Sequence, residues 1–185
     1  MTTLRADAQR NLDRLLYAAA ECFAEQGVDV SADEIARRAG VGHGTVFRRF
    51  PTKDALIAAV LGMHMRELAS TAEAALAEPD AAAAFEGFVR SAAGAYARNR
   101  ALIEAVDRCR RTPEAEALVR AVRGLVRRAQ EAGVLRRDVT AEDVLALVPT
   151  ASRYPQIVLD GLRTSAGGER GVQRLRPEAG AVLGR

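Results

Sequence analysis

Within nineteen residues, from Ile35 to Lys53, the chain places Arg37, Arg38, Arg48, Arg49 and Lys53 and no acid, whereas residues 1–34 hold seven acids and three arginines. Lys53 is the single lysine among 27 basic residues. Cations set beside small, aromatic and hydrogen-bonding side chains suit duplex DNA, because phosphate contacts position a reader and base-edge contacts carry the sequence information. His43, Gly44, Thr45 and Phe47 are assigned to the base edges. Histidine donates or accepts, glycine permits close approach, and the phenyl ring suits a thymine methyl. Thr45 also serves phosphate, together with Arg48, Arg49 and Lys53. Arg37 and Arg38 fit a solvated face as readily as a phosphate contact, and Arg5 fits an arm reaching an adjacent groove.

No second chemistry competes with this one. The two histidines, His43 and His64, lack the convergent partners of a metal site. His64 reads as a partly exposed helix residue. Glu104 and Asp107, close to Arg108, Arg110 and Arg111, are better explained as helix-surface pairs than as acid–base machinery. No phosphate loop, nucleophile elbow or paired His-Glu motif is present. Cys22 and Cys109 lie far apart and read as reduced, buried thiols. The expectation is therefore a protein that is not an enzyme, with no cofactor and no metal. A net charge of +3 leaves local charge, not a uniformly basic surface, to choose the partner. No apolar run is long enough to span a bilayer, and a cytoplasmic location without membrane contact is expected.

The elements that must position the cations follow from capping and periodicity. Ser31 and Glu34 form a capping box opening a helix with Ile35, Ala36 and Ala39 inward. Gly40 ends it, Val41 fills the corner, and His43–Arg49 forms a second helix held by Val46 and Phe50. Pro51 stops that helix. A preceding helix over Arg5–Glu25 carries Leu12, Leu15, Leu16, Ala19 and Phe23. After it come Thr52 to Leu76, a break at Glu78, Pro79 and Asp80, and Ala81 to Asn99 with Phe85, Phe88 and Tyr96 on one face. Leu102, Ile103, Val106 and Cys109 mark another helix. Thr112 and Pro113 open one carrying Val122 and Val126, and Thr140 with Asp143 opens the next, which Pro149 should kink or end. Ile157, Val158 and Leu162 mark a last short helix. Alanine and leucine outweigh β-branched residues, so the fold class is all-α, with an N-terminal three-helix DNA-binding domain and a C-terminal helical bundle. The divisions are 1–51 for the reader, 52–163 for the bundle and 164–185 for a disordered tail.

At these residues the chain resembles the tetracycline-repressor (TetR) family. The resemblance lies in the apolar helix ending at Phe23 before Gly27, in Ile35, Ala36, Ala39, Gly40 and Val41, and in Thr45 through Lys53. It is strong from about Leu12 to Val60; later, only Ala129–Val148 and Gln156–Arg163 look like the family's late helices. Phe47 stands where the family usually has tyrosine, Arg49 where histidine is frequent, and Gly42 where serine commonly caps the helix. The resemblance implies a homodimeric transcriptional regulator, a repressor released from a palindromic double-stranded DNA operator by a small-molecule effector. It also implies that the bundle interior receives that effector, with Phe85, Phe88, Tyr96, Ile103, Val122 and Val126 as candidates and Tyr96 foremost. A protein partner acting on the bundle is the alternative control. Pairing is expected through the last two helices, using Val144, Leu147, Val148, Ile157 and Val158.

Overall fold

Most helix boundaries fall at residues suited to end a helix in the computed structural model, which describes residues 2–99 and 112–164. The described residues form eight helices: α1 (Thr2–Gln26), α2 (Ala32–Ala39), α3 (His43–Arg49), α4 (Lys53–Ala75), α5 (Ala81–Arg98), α6 (Pro113–Glu131), α7 (Ala141–Ala151) and α8 (Pro155–Leu162). They contain no strand, only an isolated bridge between Leu135 and Arg163. The all-α expectation is met. The expected helix around Ile103 and Cys109, and the tail from 165 onward, lie outside the described residues, as does the side chain of Arg5.

Side-chain oxygens of Ser31, Thr52, Asp80, Thr112 and Thr140 each accept a backbone N–H at the start of α2, α4, α5, α6 and α7. Such caps satisfy donors that have no partner within the helix. Thr140 and Asp143 make the full reciprocal box. The expected box at Ser31 is only half formed, because the Glu34 carboxylate turns to Arg37 one turn on instead of back to the cap. Gly40 takes φ 66°, a left-handed conformation that a Cβ would strain, and so ends α2 and starts the turn. Pro149 sits inside α7, which runs on for two residues to Ala151.

Two apolar clusters divide within α4. Leu15, Leu16, Cys22 and Phe23 of α1, Ile35 and Ala36 of α2, and Val46 of α3 close on Leu56, Ile57, Val60, Leu61 and Met63. From Ala69 onward α4 joins α5, α6, α7 and α8 in a second cluster around Phe85, Phe88, Val122, Leu125 and Val144. One helix of 23 residues thus belongs to both cores. Val60, near its middle, is fully buried and ties the helix to the first. Burial also pushes the Cys22 thiol up, opposed by the smaller effect of Arg38. That favours the inert, protonated form.

The far end of α4 is held by one side chain. Arg128 of α6 donates to the carbonyls of Ala75 at 3.4 Å, Leu76 at 3.0 Å and Pro79 at 2.9 Å, and to that of Glu78. These include carbonyls that the helix end leaves without a partner. Arg128→Ala should therefore lower stability by about 1–2 kcal/mol in urea unfolding, the scale of charge-assisted bonds at a partly exposed site. Arg128→Lys should recover less than half, because an ammonium cannot span the fork. Equal stability of the alanine variant and the parent would show that the loop holds itself.

Candidate nucleic-acid interface and bundle cavity

α2, the turn at Gly40 and α3 form a helix-turn-helix that turns its expected contact residues outward. His43, Gly44, Thr45, Phe47, Arg48 and Arg49 are exposed on α3, while Val46 is buried and anchors the helix from below. Phe47 keeps 45% of its surface accessible. Its ring centroid lies 4.5 Å from that of His43 at a 42° tilt, so the two rings shield part of each other. His43 Nδ1 also meets the Asp33 carboxylate at the start of α2. That contact orients the imidazole and was not foreseen from the motif. Gly42 supplies no side-chain cap to α3. A Cβ built on Gly44 would meet nothing within 4 Å, so internal packing does not demand a glycine there.

The cations separate into two sets. Arg37 is held by Glu34, with Nε 3.2 Å and Nη2 2.5 Å from the carboxylate oxygens. Arg38 reaches Glu25 at 2.6 Å and Glu21 at 3.8 Å. Hydrogen bonds from these guanidinium groups hold the Glu34 and Glu25 carboxyls below their usual range and raise both arginines further. Arg48 and Arg49, by contrast, have no carboxylate partner among the described residues. Arg48 Nη2 instead lies 3.5 Å from Thr45 Oγ1. Lys53 Nζ stands 3.9 Å from Asp29, an outer-limit contact with a fully exposed carboxylate. The positive face offered by this motif thus centres on Arg48, Arg49 and Lys53, and Arg37 and Arg38 are largely neutralised within the protein.

A cavity of about 660 Å³ opens between α4, α5, α6 and α7. Leu61, His64, Met65 and Leu68 supply its α4 wall, Ala95, Tyr96 and Asn99 its α5 wall, Leu118 and Val119 its α6 wall, and Leu145, Ala146 and Pro149 its α7 wall. Tyr96 is the one expected effector residue that lines it among the described residues. Phe85, Phe88, Val122 and Val126 pack into the core at 4% exposure or less instead, because their helix faces meet neighbouring helices with no space between. Ile103 lies outside the described residues. His64, read from sequence as a partly exposed helix residue, is partly exposed and also stands in the cavity wall. Its spacing of three from Glu67 on one helix was the available signal.

The pairing residues also need correction. Val144, Val148 and Val158 are buried in the protomer's own core at 2%, 8% and 7% exposure, and Leu147 is partly buried against it. Ile157 stays 71% exposed and Tyr154 56%.

A cationic helix-turn-helix joined by a shared helix to an all-α body with an apolar cavity defines a helix-turn-helix transcriptional regulator. Residues 15–60 match the family of bacterial regulatory proteins, tetR family, and residues 78–165 match the C-terminal domain of SbtR-like transcriptional regulators. The structure of a TetR transcription regulatory protein from Mycobacterium vanbaalenii is 39% identical, covers 87% of this chain and 99% of its own, and superposes with a TM-score of 0.70. A TetR regulator from Streptomyces coelicolor is 32% identical over 83% of this chain and 99% of its own, with a TM-score of 0.59. An HTH-type transcriptional regulator of Mycobacterium tuberculosis is 41% identical over 69 residues, which is 37% of this chain and 36% of that protein. The chain thus matches about a third of the length of the curated relatives. It belongs to the TetR family of DNA-binding transcriptional regulators.

Proposed function

We propose that the protein is a homodimeric repressor that grips a palindromic operator and is released when a small apolar molecule fills the cavity between α4 and α7. The observation that carries this reading is the course of α4. Its first residue is Lys53 of the cationic face, and Leu61, His64, Met65 and Leu68 further along it wall the cavity. A ligand that alters the seat of α4 alters the seat of the reader. In this reading Arg48, Arg49, Lys53 and Thr45 hold phosphates, and His43, Gly44, Thr45 and Phe47 meet base edges. The open space at Gly44 and the exposed Phe47 ring support those roles. No described helix is long and apolar enough to cross a membrane.

DNA and effector then compete through one conformational equilibrium without touching, and their coupling is reciprocal. Operator titration with and without a ligand found by thermal shift tests this. Saturating ligand should change operator affinity by about 5–150-fold. A change below about twofold would overturn the effector reading. Ala95→Phe places a ring in the cavity and should abolish the response while leaving the free protein's operator affinity within about twofold, provided the fold survives by circular dichroism.

A further inference from the structure

The apolar cavity has a polar neighbour. A second recess, of about 500 Å³, adjoins it where α7 runs on towards α8, and Tyr96 and Pro149 line both spaces. Thr150, Ser152, Arg153 and Tyr154 supply the other polar side chains of the recess. The Ser152 hydroxyl is committed, donating to the Pro149 carbonyl at 2.7 Å. The Arg153 guanidinium and the hydroxyls of Tyr96, Thr150 and Tyr154 have no partner among the described residues. Each of the four can donate, and only the arginine is charged. No carboxylate lines the recess among the described residues, so its donors outnumber its fixed acceptors.

The cavity itself offers an anion nothing. Its wall holds no arginine or lysine among the described residues, and its one acid, Glu142, is paired with Arg123 at 2.8 Å. His64 meets Glu67 through Nδ1 at 3.0 Å and keeps Nε2 buried, out of a ligand's reach. The Asn99 amide donates to the Ala95 carbonyl at 3.1 Å. A carboxylate confined there would lose its water without gaining a counter-charge, which is strongly unfavourable. The recess differs. Arg153 is exposed, and its guanidinium is always charged and presents a planar fork that matches a carboxylate.

We propose that cavity and recess together bind an apolar molecule ending in a single carboxylate, of the alkylbenzoate or alkanoate class, with its body in the cavity and its carboxylate on Arg153. This rests on the cavity's being the effector site and gives the apolar effector a charged end. The body meets Leu61, Met65, Leu68 and Leu118, and the Tyr96 hydroxyl donates to the head where the two spaces adjoin. One arginine answers one carboxylate, whereas the second charge of a phosphate ester would go unmet. Neither space suffices alone, because the recess has no apolar depth to hold the body and the cavity has no cation to hold the head.

The test uses 4-pentylbenzoate, its methyl ester and benzoate against the full chain by calorimetry. The pentyl acid should bind about tenfold tighter than the ester, the low end for a hydrogen bond to a charged group because Arg153 is exposed. Benzoate, which lacks the chain, should bind about a hundredfold more weakly or worse. Added salt should weaken the acid relative to the ester. In Arg153→Gln the acid's advantage should vanish while ester binding persists, and the exposed site leaves the fold intact. Ala95→Phe, which fills the cavity and leaves the recess open, should abolish binding of acid and ester alike. Equal binding of acid and ester, a preference that survives Arg153→Gln, acid binding that survives Ala95→Phe, or binding of neither compound would overturn the proposal. The acid should also weaken the parent's grip on a duplex selected from a random pool. If it bound as described yet left DNA affinity unchanged, the effector reading itself would fail and the binding assignment would stand.

Discussion

Replacing Arg48, Arg49 and Lys53 together by alanine should reduce operator affinity by about 10³-fold or more at physiological salt, with random duplex DNA losing affinity alongside it. Each cation that meets a phosphate releases a condensed counterion. Removing three per protomer, six per dimer, should flatten the plot of log affinity against log salt by about 5. The three side chains are exposed, and none closes a core, so the variant should fold with an unchanged helical spectrum. The contrast lies on the same motif. Glu34→Gln with Arg37→Gln removes a neutral pair bonded within the protein, and the salt slope should stay within about 0.5 of the parent's. Salt slopes measured by fluorescence anisotropy decide the matter. A triple variant with the parent's slope would move the phosphate surface elsewhere.

Ile157→Asp should split the proposed homodimer and, with it, tight operator binding. Ile157 is 71% exposed on α8 and Tyr154 beside the same helix is 56% exposed, so in a single protomer both leave apolar surface in water. An isoleucine left mostly in water is the part of α8 on which a second copy can settle, and a carboxylate there meets its own symmetry mate across a two-fold axis. A lone two-turn α3 then grips one half-site. The loss of a tethered second site costs about 10²–10⁴-fold in operator affinity. The charge sits in solvent in the separated protomer, so its thermal stability measured at high dilution should fall little. Sedimentation should show a monomer at micromolar concentration where the parent should sediment as a dimer. A variant that still sediments as a dimer would place the two-fold interface away from α8.

How far the linear chain reached differs between its two halves. In the reader, Gly40, Thr52, Val46 and the charge segregation are local facts: a cap, a left-handed turn and an inward residue are settled within one or two turns of backbone, so the contact surface was legible before any packing was known. The half-formed box at Ser31 shows the limit even there, since Glu34 chose Arg37 over the cap for reasons of side-chain competition that spacing does not rank. In the bundle the same periodicity marked Phe85, Phe88, Val122 and Val126 as inward but was silent on whether inward meant core or cavity wall. Those two fates differ only in whether a neighbouring helix fills the space opposite, and that is a property of four helices at once. The same ambiguity assigned Val144, Val148 and Val158 to a partner when their own protomer had already covered them. The sequence by itself determined the helices, their ends and the cationic motif, because short-range hydrogen bonding and charge decide those. Only the tertiary structure decided which arginines are left free, where the cavity lies and that His64 stands in its wall, because each depends on side chains brought together from helices far apart in the chain.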